Sequence, residues 1–226
     1  MPFEVAVRLI ELGLALAVIQ RGAEHLGRDP KVFLPQILLA FWLLTGMGSG
    51  VVLIGLWGMC AVQLYRFQGP YNGAADKMAM LIVTCLCAAH WAPTAFWSEL
   101  ALAYLAVQVV LSYVVSGWVK LRNPDWRSGQ ALIDVFAFST YPVSDAMRMW
   151  ASKERVLTLG AWGVIGFEVA FPLGLLHPSL LLGMLGIAAA FHLANAICFG
   201  LNRFLWIWVS AYPALIWLQA LVVAPA

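Results

Sequence analysis

Between Arg155 and Arg203 the chain carries one charged side chain, Glu168, and is otherwise largely apolar. A helix that is apolar all round belongs either in a membrane or deep inside a large protein. These 226 residues alone are too few to enclose it. Composition points the same way: 63% of residues are hydrophobic and 11% charged, against roughly 45–50% and about 25% in soluble domains. Eleven Trp and 6 Tyr suit the membrane–water interface. A net charge of +2 offers no basic footprint for nucleic acid. A soluble monomer, a disordered chain and a nucleic-acid binder are therefore excluded, and the first partner is the lipid bilayer.

Apolar segments run over 3–20, 33–65, 78–97, 99–119, 157–176, 178–200 and 204–222. A bilayer core of about 30 Å takes roughly 20 helical residues, so 33–65 is too long for one upright helix. Gly46-Met47-Gly48-Ser49-Gly50 lies at its middle, where glycine lets a chain turn. The run is either a hairpin of two short helices or one long tilted helix. Read as a hairpin, it puts every Lys and Arg except Arg8 on one side of the membrane, and the segments near 46–50, 91–98 and 177–178 carry none. That asymmetry obeys the positive-inside rule. The expected architecture is all-α: a polytopic integral membrane helical bundle of about eight transmembrane helices, plus one re-entrant or interfacial segment at 129–156. Both termini are expected on the non-cytoplasmic side, and 1–226 as a single domain.

Several local expectations accompany this plan. Arg8 and Glu11 interrupt the first apolar segment and stand at i, i+3, so the segment reads as a retained helix with an internal ion pair rather than a signal peptide. Pro124-Asp125 marks a turn, Tyr141-Pro142 ends the next apolar piece, and 144–156 suits a helix lying in the interface. Cys60, Cys85, Cys87 and Cys198 sit in apolar runs without metal or redox spacing, so they read as buried free thiols and no metal site is expected. His25, His90 and His177 fall at span ends or loops and read as solvated or interfacial.

Polar side chains inside apolar helices are costly and mark function or interhelical pairing. Tyr104, Gln108, Ser112, Ser116 and Lys120 recur at every fourth residue, forming a ladder that ends at an amine. It serves either as a path to a basic lysine or as close helix packing beside a snorkelling one. Glu168 lies mid-span with Pro172 four residues later, which predicts a kink. His192, Asn195 and Asn202 fall within about 80° of helical arc, with Gly200 a possible break before the last. No nucleophile elbow, P-loop, dinucleotide fingerprint or H-E-x-x-H is present, so hydrolase, kinase and Rossmann readings lack support.

The stretch YVVSGWVKLRNPDWRSGQAL at 113–132, with GFEVAFPLGLL at 166–176 and AFHLANAICFGLNRF at 190–204, resembles the horizontally transferred transmembrane (HTTM) family. RLIELG at 8–13 and YNGAAD at 71–76 extend the resemblance more weakly. The family includes the membrane part of vitamin K-dependent gamma-carboxylase. The resemblance implies a helical bundle with a quinol-accessible pocket in a bacterial cytoplasmic membrane. It further implies a lysine, here Lys120, that deprotonates a vitamin K-like quinol, which after reaction with oxygen yields a base strong enough for carboxylation chemistry. Glu168 and His192 join Lys120 as candidate catalytic groups, with Tyr104, Gln108, Trp126, Asn195 and Asn202 as candidate cofactor contacts. Lys120 and Trp126 stand one residue further apart than in the carboxylase, closer to the broader bacterial branch. At this length the large extramembrane region that grips the carboxylase's protein substrate is expected to be missing. The alternative is a non-catalytic bundle, either an accessory subunit beside other membrane subunits or a lipid or quinone binder.

Overall fold

The computed structural model describes residues 1–66, 73–139 and 144–223, and every regular element among them is helical. The expected stop at Tyr141-Pro142 and the first two residues of YNGAAD lie outside the described residues. The long helices are α1 (Phe3–His25), α2 (Pro30–Thr45), α3 (Ser49–Arg66), α4 (Gly73–Trp91) and α5 (Ala95–Arg122). Two short helices follow, α6 (Pro124–Ser128) and α7 (Gln130–Phe138), and then α8 (Asp145–Arg148), continued by a 3₁₀ turn over Met149–Ser152. The chain closes with α9 (Glu154–Ala170), a 3₁₀ segment over Phe171–Leu176, α10 (Pro178–Phe199) and α11 (Asn202–Val223).

Among the described residues, six helices are long and apolar enough to cross a membrane: α3, α4, α5, α9 with its 3₁₀ extension, α10 and α11. The other two long helices miss for definite reasons. Glu4, Arg8 and Glu11 charge the first half of α1, and α2 is apolar but only 16 residues long. Large apolar side chains such as Leu38, Leu159, Leu182 and Ile197 are exposed, as lipid-facing surfaces require. The chain is an integral membrane protein.

The 33–65 run is a hairpin. α2 ends on Gly46, whose φ of 76° is left-handed, and α3 begins at Ser49 after Gly48 at φ 64°. A side chain at these φ values is strained, so glycine permits the turn. The charged pair of α1 secures it. Arg8 donates to the α2 terminal carbonyls of Leu43 (2.9 Å) and Leu44 (2.6 Å), and to Glu11 at 2.8 Å. Glu11, buried, also accepts from Ser49 at the start of α3 (3.2 Å) and lies 2.6 Å from His90 Nε2. His90, exposed in the last turn of α4 as its span-end position predicts, also pairs with the buried Glu11. The expected interfacial helix over 144–156 is replaced by two short turns, and residues from Glu154 onward already belong to α9.

The chain packs as two compact units, Met1–Val107 with Arg203–Ala226, and Gln108–Asn202. In the first, α1 packs on α2 and α4, α2 on α3, and α3 on α4. Gly13 of α1 meets the Ser210 backbone of α11. In the second, α6 and α7 pack on α9, and α10 packs on the 3₁₀ segment over Phe171–Leu176.

Candidate functional site

One face of α5 supplies Tyr113, Ser116, Gly117 and Lys120, at i, i+3, i+4 and i+7, the spacing of a single helical stripe. The face packs on α9 because Gly117 has no side chain. A Cβ there would stand 2.8 Å from the Cβ of Glu168 and 2.9 Å from the Val169 nitrogen. That close approach brings Lys120 to Glu168: Nζ donates to Oε1 at 2.8 Å and Oε2 at 2.7 Å, and to Ser116 Oγ at 2.5 Å. Ser116 in turn donates to Glu168 Oε1 at 3.2 Å. Glu168 is 3% exposed and the Lys120 side chain 15%.

The Glu168 carboxylate sits at a change of helix type. α9 stops at Ala170 and continues as a 3₁₀ segment, because Pro172 has no N–H to donate to the Glu168 carbonyl four residues back. The segment brings Phe171 flat against Tyr113, ring centroids 4.2 Å apart. The Tyr113 hydroxyl shares a 2.9 Å hydrogen bond with Nε2 of the buried His192 on α10. Phe167 lies edge-on to Tyr113 and Phe171, and Phe191 lies beside Phe167 and His192. An ion pair and a phenol–imidazole pair therefore hang from one stripe of α5, about 10 Å apart along its axis.

The loop after Lys120 is built by the same stretch of sequence. The Asn123 side chain accepts from the Asp125 nitrogen at 2.8 Å and caps α6, with Pro124 at its first position. Trp126 then lies under the Lys120 ammonium, 5.1 Å from Nζ to the ring centroid, within cation–π range. Gly129, at φ 86°, turns the chain into α7 against Thr158 of α9. The Trp162 indole donates to the Arg127 carbonyl at 3.1 Å.

The remaining candidates do not gather here. Tyr104 belongs to the first unit and is exposed. Gln108 is half-buried, about 18 Å before Lys120 along α5. Ser112 is half-buried and donates to the Val109 carbonyl at 2.7 Å. Asn195 is half-buried on α10 one turn after His192. α10 ends at Gly200, left-handed at φ 65°, and Asn202 opens α11. The arc drawn through His192, Asn195 and Asn202 as one helix is thereby corrected. Among the described residues no group of His, Cys, Asp and Glu could hold a metal, and all four cysteines are free thiols.

The sequence reading missed a second polar cluster, in the first unit. Asp76 Oδ1 accepts from Gln63 (2.9 Å), Arg203 (3.3 Å) and Arg21 (3.4 Å), and Arg21 donates to Gln36 at 2.5 Å. All five side chains are buried. Arg21 and Arg203 are consequently core residues, not loop charges.

A family model described as the HTTM domain matches residues 86–218, more than half of the chain. That range covers Lys120, Glu168, Tyr113, His192 and every other candidate contact. No curated protein and no solved structure matches.

Proposed function

The chain belongs to the HTTM domain family, and on that premise we propose a membrane-embedded enzyme that handles a proton of a quinol-class, lipid-soluble cofactor. The observation that carries the reading is the buried Lys120–Glu168 pair, set between helices long and apolar enough to cross a membrane. Ionisable groups in such helices are costly and mark function or pairing, and the pair places an acid and a base within 2.8 Å. With the shared proton resting on Glu168, the neutral Lys120 amine is the acceptor, and on taking the ligand's proton the pair gains one positive charge.

The surrounding residues suit a flat aromatic ligand. Phe167, Phe171 and Phe191 form an aromatic wall, and Tyr113 with His192 offers a hydroxyl and an imidazole to a carbonyl or hydroxyl group. A bound quinol would supply an acidic hydroxyl and an electron-rich ring. Residues 1–226 act in this reading as one membrane domain crossing the bilayer eight times, with α1 and α2 among the crossings. Both termini lie outside, and the membrane is a bacterial cytoplasmic one.

A second reading is favoured by one observation: all three Nζ hydrogens of Lys120 have acceptors within the chain. A structural pin in a non-catalytic subunit or lipid binder needs nothing more. Mass spectrometry of quinones retained by protein purified from quinone-containing membranes tests the quinone site. A near-stoichiometric quinone that is lost in Tyr113→Ala supports a site that turnover then assigns to an enzyme or a quinone binder, and none above the level in bulk lipid supports an accessory subunit or lipid binder.

A further inference from the structure

Arg28, Arg66 and Arg203 border one cavity of about 320 Å³ in the first unit, together with His25, Asp29 and Gln63. Among the described lining residues Asp29 is the one acid, and its Oδ2 already accepts from Arg66 Nη1 at 2.8 Å. At the buried side, Arg203 and Gln63 are both held by Asp76 Oδ1, which Arg21 approaches as well. Two guanidiniums thus approach one carboxylate oxygen, beneath a wall that Arg28 and Arg66 make basic. Guanidinium forks match tetrahedral oxyanions, and Arg binds them with less hydration to lose than Lys. Val32 and Phe33 complete the wall with an apolar strip, which can cover a non-polar part of the same ligand.

We infer that this cavity takes the phosphate group of an anionic ligand, supplied either by a phospholipid headgroup or by a soluble phosphate. Arg28 and Arg66 are exposed at its rim, and Arg203 is fixed at its floor by the Asp76 network. Occupancy would therefore be felt at α1, α4 and α11 through Arg21, Asp76 and Arg203.

The test uses the full chain in detergent micelles. Native mass spectrometry compares retention of phosphatidylglycerol with phosphatidylcholine, and a parallel melting assay adds inorganic phosphate at millimolar concentration. The variants are Arg28→Gln alone, Arg28→Gln with Arg66→Gln, and a charge-matched control, Lys153→Gln with Arg155→Gln. Wild type is expected to prefer phosphatidylglycerol, with the preference falling roughly fivefold for each cavity arginine removed and unchanged in the control. Stabilisation by phosphate that the cavity variants lose, without lipid preference, would keep the site and make its ligand soluble. Equal behaviour of wild type and the Arg28 and Arg66 variants would overturn the inference. So would equal loss in the control, or no response of wild type to either ligand.

Discussion

Lys120 and Glu168 are each expensive in an apolar helix and tolerable together, so removing one partner should cost far more than removing both. Glu168→Gln leaves a half-enclosed ammonium facing an amide, and breaking a buried pair in this way costs about 3–5 kcal/mol. Thermal or denaturant unfolding in micelles should show that loss, and Lys120→Met combined with Glu168→Leu should recover most of it. If the double variant is as unstable as Glu168→Gln, the pair's charge balance is not what stabilises the site. Tyr113→Phe deletes the hydrogen bond to His192 and should cost about 1–3 kcal/mol, since it removes a buried hydrogen bond without removing the imidazole that shares it. Residues such as Lys120, Glu168 and His192 were legible in the sequence because an ionisable group in an apolar run stands out unaided. Tyr113 was not, because the ladder at every fourth residue selects its neighbour Ser112. Only the 113–116–117–120 spacing marks the packed stripe. The Asp76 network was hidden for another reason. Arg21, Asp76 and Arg203 lie at the ends of apolar segments, where a loop charge and a buried one look alike, and their partners are far apart in sequence.

At the level of helices, the contact between α5 and α9 depends on one missing side chain. Gly117→Ala would force a methyl into Glu168 and Val169, and overpacking of this kind costs typically 1–3 kcal/mol. It should also pull Lys120 from its carboxylate. The control is Gly163→Ala on α9, where nothing lies within 4 Å of the added methyl, and it should leave the melting temperature unchanged or slightly raised. Equal destabilisation of the two would mean that close approach at Gly117 is not what holds the helices together. The helix boundaries were largely readable, since apolar length, Pro172 and the glycines at 46–48, 129 and 200 carry their own backbone logic. The interfacial helix expected over 144–156 was not. Mixed Met, Trp and Arg suit both an amphipathic helix and the short turns that form. The role of Arg8 and Glu11 was also only half visible: their pairing follows from i, i+3 spacing, but their grip on the α2–α3 turn depends on a contact across the fold.

For the whole molecule, eight crossings require α1 and the short α2 to span alongside the six helices that qualify by length and hydropathy. Reporter fusions after Arg28 and Arg127 should then report the cytoplasm, and fusions near Ser49 and Pro93 should not. Arg28 and Ser49 on the same side would remove α2 from the crossings and leave it lying in the interface. The enzyme reading meets its most direct test in quinol turnover by proteoliposomes holding wild type, Lys120→Arg or Lys153→Arg, followed as oxygen uptake with a reduced naphthoquinol. Arginine keeps the positive charge that Glu168 needs, so the fold survives, but guanidinium stays protonated at every accessible pH and cannot accept a proton. The expected result is turnover in wild type and in Lys153→Arg, with a fall of about 10²-fold or more in Lys120→Arg. Undiminished turnover in Lys120→Arg, or none in wild type above empty vesicles, would contradict the proposal and leave Lys120 as a structural pin.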